Sequence, residues 1–145
     1  MVSELVATLA SGIFAGAALY INLVEQPARL CCGTELALTQ WRLSYKRGTL
    51  MQAPLALIGS LAALLSFWID RRLTWLVGGI LLLLIIPFTL VVILPTNKKL
   101  ESRELDLRGA EAGNLLRRWG RLHAVRSILG VAAFVLFLVS LVWSR

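Results

Sequence analysis

The sequence predicts an all-α protein, an antiparallel four-helix transmembrane bundle with short juxtamembrane helices on the cytoplasmic side. Hydrophobic residues make up 58% of the 145 residues, and the mean hydropathy is +0.77, which is too apolar for an ordinary soluble domain. Four stretches carry no charged residue, and each approaches the ~20 residues that cross a bilayer as a helix. They are residues 5–24, 48–69, 73–97 and 127–144. We therefore expect a single transmembrane domain that covers residues 1–145.

The basic residues are unevenly distributed between the two sides of this bundle. The net charge is +7, and eleven of the 15 basic residues fall in segments 25–48 and 96–121, which alternate spans place on one side. Arg71, Arg72 and Arg145 lie on the other side. Since basic loops stay in the cytoplasm, we expect an integral membrane protein with both termini outside, in the plasma (inner) membrane if bacterial. These charges set topology and contact anionic lipid headgroups, so nucleic acid is not an expected partner.

The first span covers about residues 4–25. It carries Glu4 in place of a basic n-region, which predicts a retained membrane helix rather than a signal peptide. Gly12 and Gly16 form a GxxxG motif that allows another helix to approach closely, and we expect it to pack the bundle. A homo-oligomer through small-residue helix faces is the alternative. Pro27 should bend or restart the chain.

Residues 26–48 are expected to form a loop that contains its own short amphipathic helix. On this helix Trp41 and Tyr45 suit the headgroup layer of the membrane. Cys31 and Cys32 are adjacent and on the predicted reducing side, which argues against a structural disulfide. We expect unmodified thiols, with palmitoylation or a metal thiolate as alternatives.

The second and third spans, about residues 49–69 and 73–96, are joined by a polar turn so short that they must form an antiparallel hairpin. Pro87 should kink the third span. Residues 98–118 carry mixed charges and are expected to form a solvated or lipid-proximal connector, for which the role of a lid stays open. The fourth span covers about residues 120–143.

Polar residues converge at the cytoplasmic end of the predicted spans. Trp119, His123 and Arg126 are spaced i, i+4, i+7 and share one helix face, and His123 is the only histidine. An ionisable residue inside a span is a functional hypothesis by default. We therefore predict a pocket at this end with two sets of residues. The catalytic set is His123, Arg126 and Glu25, and the substrate-binding set is Asn22, Gln52, Asn97 and Trp119.

Each of these side chains also has a structural interpretation. Arg126 could snorkel to lipid phosphate, Glu25 could merely pair with Arg126 or Arg29, and His123 could merely bond a backbone carbonyl. A metal at Glu25 and His123, with a cysteine or a second carboxylate, is disfavoured because a lone histidine is weak evidence for a site that needs about three or four ligands. Haem with His123 as axial ligand is disfavoured further. A general base at His123 needs only an apolar pocket and a partner that fixes its tautomer.

Four stretches of the sequence occur in a characteristic combination. They are residues 12–20 followed by VEQPAR, then YKRGTLMQAP from Tyr45, PFT with LPTNK from Pro87, and RWGRLHAVR from Arg118. In this combination the chain resembles the anthrone oxygenase-like family of small four-helix integral membrane proteins, long catalogued as a domain of unknown function. The resemblance covers nearly the whole chain, and its fourth stretch is the most specific.

The resemblance implies a membrane-bound oxidoreductase, since fungal members are associated with oxidising anthrones to anthraquinones in polyketide biosynthesis. An anthrone has an acidic carbon between two rings, and its enolate reacts directly with O₂, so no cofactor is strictly required. The reaction needs a base (His123), a donor to the developing oxyanion (Arg126, Asn97) and a flat apolar slot beside Trp119. The expected partners are membrane lipids and a small lipophilic substrate.

Two other classes of function remain open on the sequence. One is a non-enzymatic membrane protein whose polar pocket binds a lipid, a quinone or an anionic ligand. The other is a structural or accessory membrane subunit that uses its small-residue helix faces for assembly.

Overall fold

The computed structural model describes residues 1–143, which form four long helices. They are α1 (Val2–Cys31), α2 (Thr34–Asp70), α3 (Leu73–Glu101) and α4 (Ala110–Val142), and all four are long and apolar enough to cross a membrane. The described residues contain no strand, so the predicted all-α, four-helix transmembrane class is confirmed. The last two residues of the chain, among them the basic Arg145 of the sequence analysis, lie outside the described residues.

Each helix packs against two neighbours around the bundle. α1 contacts α2 and α4, α3 contacts the same two helices, and the diagonal pairs touch little. Short turns join consecutive helices, and in the turn between α1 and α2 Gly33 adopts a φ of 84°, which a side chain would disfavour. We call the end that contains this turn and the α3–α4 connection the basic end, and the opposite end, with the α2–α3 turn, the hairpin end.

Small residues set the distance between α1 and α4. A Cβ at Gly12 would lie 2.9 Å from the ring of Phe134, and a Cβ at Gly130 would lie 2.7 Å from the ring of Phe14. At Gly16, in contrast, a Cβ would meet no atom within 4 Å. Of the GxxxG motif, Gly12 therefore packs the bundle and Gly16 does not.

Two hydrophobic clusters form the core. The central cluster lies in the middle of the bundle and consists of Ala7, Phe14, Ala18, Ala56, Ala63, Trp75, Leu82, Ile85, Ala133 and Phe137. The basic-end cluster consists of Ala37, Leu38, Trp41, Ile93, Leu100, Ala112, Leu115, Leu116 and Trp119. Along α2 and α4, Gln52, His123 and Arg126 lie between these two clusters.

The helices extend further at the basic end than the predicted spans. α2 has 37 residues and is about 55 Å long, whereas the hydrocarbon core of a bilayer is only about 30 Å thick. The short amphipathic helix expected within the loop 26–48 is not separate, because residues 34–48 form the first turns of α2. The assignment of Trp41 to the headgroup layer is wrong, because this side chain is fully buried in the basic-end cluster. The apolar face of this segment covers protein rather than lipid.

The connection between α3 and α4 is shorter than expected and is hydrogen-bonded to α2. It comprises residues 102–109, since α4 already begins at Ala110. Arg42 of α2 donates hydrogen bonds to the carbonyl oxygens of Leu100 (2.8 Å) and Ser102 (2.7 Å). Most of the segment expected as a mixed-charge connector is therefore helical and held against the bundle.

Two π-helical turns interrupt the α-helical hydrogen bonding, one in α1 at Ile21–Glu25 and one in α3 at Thr89–Ile93. Each precedes a proline by two residues, Pro27 and Pro95, respectively. A proline ring clashes with the carbonyl four residues earlier in a regular α-helix, and the wider turn relieves that clash. α1 therefore continues through Pro27, where the sequence predicts a bend or a restart.

Pro87 lies at the end of the α-helical part of α3, directly before the second π turn. The hydroxyl of Thr89 donates a hydrogen bond of 2.6 Å to the carbonyl oxygen of Ile85. The carbonyl oxygen of Ile85, two residues before Pro87, thus accepts a hydrogen bond from a side chain of its own helix.

Candidate functional site

A cavity of about 280 Å³ lies at the basic end, and all four helices contribute to its wall. Its lining includes six of the seven predicted site residues: Glu25, Gln52, Asn97, Trp119, His123 and Arg126. The remaining wall is formed by Ala17, Tyr20, Ile21, Arg29, Trp41, Ser44, Tyr45, Gly48, Thr49 and Met51. The cavity thus combines titratable groups with aromatic and apolar surface.

The imidazole of His123 is held by a side chain from α1. Its Nδ1 lies 2.7 Å from Oδ1 of Asn22, whose Nδ2 donates to the carbonyl oxygen of Gly120 at 2.9 Å. That second bond fixes the orientation of the amide, so its oxygen faces the histidine and Nδ1 must carry the proton. Nε2 makes no hydrogen bond to any part of the chain that the structure describes, which leaves its lone pair available at the cavity.

Asn22 does not line this cavity, although the sequence analysis grouped it with the substrate-binding residues. It lies behind His123, where it also accepts a 2.5 Å hydrogen bond from the hydroxyl of Ser127. Its outer side faces a separate open groove between α1 and α4. The position of Asn22 therefore suits the orientation of His123 rather than contact with a ligand in the cavity.

The guanidinium of Arg126 is directed into the bundle. Nη2 donates a 2.9 Å hydrogen bond to Oε1 of Gln52, and the group lies 5.7 Å from the centre of the Phe14 ring. No carboxylate among residues 1–143 lies within ion-pair distance of it. The structure thus gives Arg126 inward partners in place of the lipid phosphate of the snorkelling alternative, and its positive charge faces the cavity without an acidic partner.

Glu25 is paired with Arg29 rather than with Arg126. Its Oε1 accepts hydrogen bonds from Nη2 of Arg29 (2.5 Å) and from Nε2 of Gln40 (2.7 Å). Arg29 is only 5% exposed and also donates to Oε1 of Gln26 at 2.9 Å. The charge of Glu25 is therefore compensated locally, in agreement with the structural interpretation of this residue.

Four aromatic rings form a continuous wall. Tyr45 stacks on Trp41 with centroids 4.8 Å apart and planes 7° apart, and Trp41 meets Trp119 edge-on at 5.8 Å. Trp119 in turn lies 4.9 Å from the imidazole of His123, with the planes inclined by 32°. A flat aromatic ligand would find both stacking faces and ring edges here.

Sequence reasoning missed several members of this site. The sequence predicts no role for Gln26 and Gln40, which bond Arg29 and Glu25 beside the cavity, and it predicts lipid contact for Trp41 and Tyr45, which line it. The i, i+3 spacing of Gln26 and Arg29 indicates their hydrogen bond only on a helix that continues through Pro27, where the sequence predicts a bend or a restart. No local signal distinguishes a tryptophan that packs on another helix from one that faces lipid.

Several buried polar atoms in the lining side chains have no hydrogen-bond partner in the described part of the chain. They are Nε2 of Gln52, Oδ1 of Asn97, Nε1 of Trp41, Nε of Arg29 and Nε of Arg126. An unpaired buried polar group is destabilising by about 1–3 kcal/mol. Such groups around one cavity indicate a place where polar atoms of a bound molecule would be stabilised.

The described residues contain no group of three or more His, Cys, Asp and Glu side chains that could hold a metal ion. Glu25 and His123 both line the cavity, but Cys31 and Cys32 are exposed and lie elsewhere. The cysteines therefore do not complete the ligand set that the sequence analysis considered.

Comparisons with known proteins agree on one family. The profile of the family described as anthrone oxygenase matches residues 41–136 of the chain. The chain is also 28% identical over 148 residues to a protein named anthrone oxygenase from Claviceps purpurea (strain 20.1), and the alignment covers 90% of this chain and 84% of that relative. No solved structure matches the chain significantly.

Proposed function

The chain belongs to the anthrone oxygenase family, and we propose that it oxidises an anthrone-type, membrane-dissolved aromatic substrate with O₂ in the cavity at the basic end. One observation carries this proposal. A histidine with a free Nε2 and an arginine without an acidic partner line the same aromatic cavity. A base and a cation are the two groups that formation of an enolate requires.

His123 is the proposed base. With Nδ1 protonated towards Asn22, Nε2 takes a proton from the carbon that lies between the two aromatic rings of the substrate. The electron pair of the broken C–H bond moves onto the carbonyl oxygen, which becomes a phenolate as the central ring gains aromatic character. The imidazolium keeps its hydrogen bond to the amide oxygen, so the proton transfer needs no reorientation of the ring.

Arg126 is the proposed partner of the developing oxyanion. Its guanidinium is held by Gln52, and Nε2 of Gln52 adds a donor that has no partner among the described residues. Fixed donors in a cavity from which water is excluded stabilise developing charge more strongly than water does. Asn97 on α3 would orient a further polar group of the substrate.

The following steps balance with O₂ as the sole electron acceptor. The enolate carbon gives electrons to O₂ and forms a C–O bond, and the resulting peroxide takes the proton from the His123 imidazolium. Loss of the second C–H proton with cleavage of the O–O bond gives a ketone and one water. The sum is anthrone plus O₂ to anthraquinone plus water.

The test is O₂ uptake together with anthraquinone formation by the protein in liposomes supplied with 1,8-dihydroxyanthrone. We expect His123→Ala to lower the turnover, after subtraction of the spontaneous oxidation rate, by about 10²–10⁴-fold relative to the wild type. Binding of the product, 1,8-dihydroxyanthraquinone, should stay within a few-fold of the wild type. Arg121→Gln, at an exposed position on the same helix, is the matched control and should leave both measurements unchanged.

Two other outcomes would replace this proposal with one of the alternatives. Wild-type turnover no faster than the spontaneous rate, with ligand binding retained, would indicate a non-enzymatic binding protein. An obligate partner revealed by cross-linking, with neither turnover nor binding, would indicate a structural subunit.

A further inference from the structure

The exposed part of the cavity wall lies on only two helices. Of the sixteen lining residues, three are exposed: Tyr20 on α1, Met51 on α2, and Thr49 on α2, which also borders a groove with Glu101 of α3. Tyr20 is 57% exposed and Met51 is 47% exposed. The cavity therefore has its mouth in the gap between α1 and α2, on the side of the bundle.

Buried side chains close the cavity towards the basic end, towards Asn97 and towards Phe14. Towards the basic end the wall is formed by Trp41, Trp119 and Arg29, which are 0%, 6% and 5% exposed. Towards α3 the wall is Asn97, which is 1% exposed, and below Arg126 lies the buried ring of Phe14. Aqueous entry from the basic end would thus require buried side chains to move.

The surface around the mouth changes from charged to apolar. Arg47 is exposed on the basic-end side of it, whereas Lys46 is turned towards α3, where it pairs with Glu101 at 3.7 Å. Leu23, three residues beyond Tyr20 on α1, is 71% exposed. In a membrane-spanning bundle such side chains face lipid, so the mouth lies where headgroups give way to acyl chains.

We propose that the mouth between α1 and α2 is a lateral portal, through which the cavity exchanges a flat lipophilic aromatic ligand with the bilayer. The identity of this ligand rests on the proposed function, since an anthrone-type molecule combines a planar apolar body with one ionisable oxygen. Such an amphiphile concentrates at the depth of the mouth, as Trp and Tyr side chains do. In the cavity its rings meet the aromatic wall and its oxygen meets Arg126.

Gly48 is the position at which the portal can be narrowed. It forms part of the cavity wall, and a Cβ there would meet no atom within 4 Å, so a side chain can be added without a clash. Gly16 on α1 is equally open but does not line the cavity. Tryptophan at either position replaces a helical glycine and adds the same bulk. The two variants therefore differ in whether the added side chain lies at the cavity wall.

The experiment measures exchange of 1,8-dihydroxyanthraquinone between the protein and liposomes of neutral phospholipid by stopped-flow quenching of tryptophan fluorescence. We expect Gly48→Trp to slow ligand entry and exit by a similar factor, at least 10-fold, while Kd changes less than 3-fold. Gly48→Ala should have a small effect in the same direction, and Gly16→Trp should exchange as the wild type does. Equal slowing of both directions distinguishes a passage from a binding contact, which changes mainly koff.

The outcomes separate this proposal from the proposed function. Identical exchange in Gly48→Trp and Gly16→Trp, with anthrone turnover intact, overturns the portal and leaves the oxygenase. Slowed exchange in Gly48→Trp without anthrone turnover in the wild type supports the portal and overturns the oxygenase. Failure of the wild type to take up the ligand from liposomes overturns the portal directly.

Discussion

At the scale of single residues, the chemistry of the candidate site depends on the tautomer of one histidine. The amide oxygen of Asn22 accepts from Nδ1 of His123, and the carbonyl of Gly120 fixes the amide in that orientation. Removing this partner would leave the imidazole free to protonate Nε2 instead. Nε2 would then carry a proton and could not act as a base, although the residues that line the cavity would be unchanged.

Asn22→Leu should therefore shift His123 from the Nδ1–H tautomer towards the Nε2–H tautomer. Because His123 is the only histidine, ¹⁵N NMR of histidine-labelled protein reports its tautomer directly. Ser127→Ala removes the other donor to the same amide oxygen and should keep the wild-type tautomer. An unchanged ¹⁵N spectrum in Asn22→Leu would contradict the positioning role of Asn22.

Arg126→Gln should lower kcat/KM for anthrone oxidation by about 10²–10³-fold, the usual effect of removing one oxyanion donor. Arg126→Lys retains the charge but loses the planar guanidinium that donates to Gln52. Its kcat/KM should therefore lie between that of the wild type and that of Arg126→Gln. Steady-state kinetics in liposomes checks both. A loss in Arg121→Gln as large as that in Arg126→Gln would indicate a general effect of basic charge rather than a role at the cavity.

At the scale of secondary structure, the π turn in α1 allows Glu25 and Arg29 to form an ion pair on one continuous helix. The turn at Ile21–Glu25 allows the helix to continue through Pro27 and places Arg29 in contact with α2 and α4. There its guanidinium lies 5.7 Å from the Trp119 ring and bonds to Glu25. A chain that restarted at Pro27 would separate these groups.

The close approach of α1 and α4 predicts how two glycine substitutions change the stability of the bundle. Gly130→Ala places a methyl group 2.7 Å from the Phe14 ring and should destabilise the bundle by about 1–3 kcal/mol through overpacking. Gly16→Ala meets no neighbour and should be stabilising by up to about 1 kcal/mol through helix propensity. Reversible unfolding in mixed micelles measures both. Equal effects of the two substitutions would show that this helix contact does not limit stability.

At the scale of the whole molecule, orientation in the membrane follows from the distribution of charge. Positive residues concentrate at the basic end, which also carries the candidate site, so we expect this end in the cytoplasm and both termini outside. A cytoplasmic site would receive substrate made inside the cell and dissolved in the inner leaflet.

The adjacent cysteines at the basic end provide a test of this orientation. Cys31 and Cys32 are exposed, so a membrane-impermeant maleimide should label them in inside-out vesicles and not in intact cells. In a variant with both cysteines replaced by serine, Arg71→Cys at the hairpin end should show the reverse. Labelling of the native cysteines in intact cells would invert the topology.

The number of helices could be predicted from the sequence, but the arrangement of the site only in part. The spacing of Trp119, His123 and Arg126 was sufficient to place them on one face of one helix. Their partners were not predictable, because the contact between Asn22 and His123 joins residues 101 positions apart. Trp41 illustrates the same limit, since a tryptophan on an apolar face can pack against lipid or against another helix.

The sequence by itself determined that the protein is a four-helix membrane bundle. In a bilayer every long apolar segment must satisfy its own backbone hydrogen bonds, so composition and segment length suffice to predict helices. Only the tertiary structure decided that Glu25 pairs with Arg29, that Arg126 faces the cavity without a carboxylate, and that all four helices contribute to the cavity wall. Those features depend on how each helix is rotated and where a π turn shifts its register, which the packing of all four helices sets together.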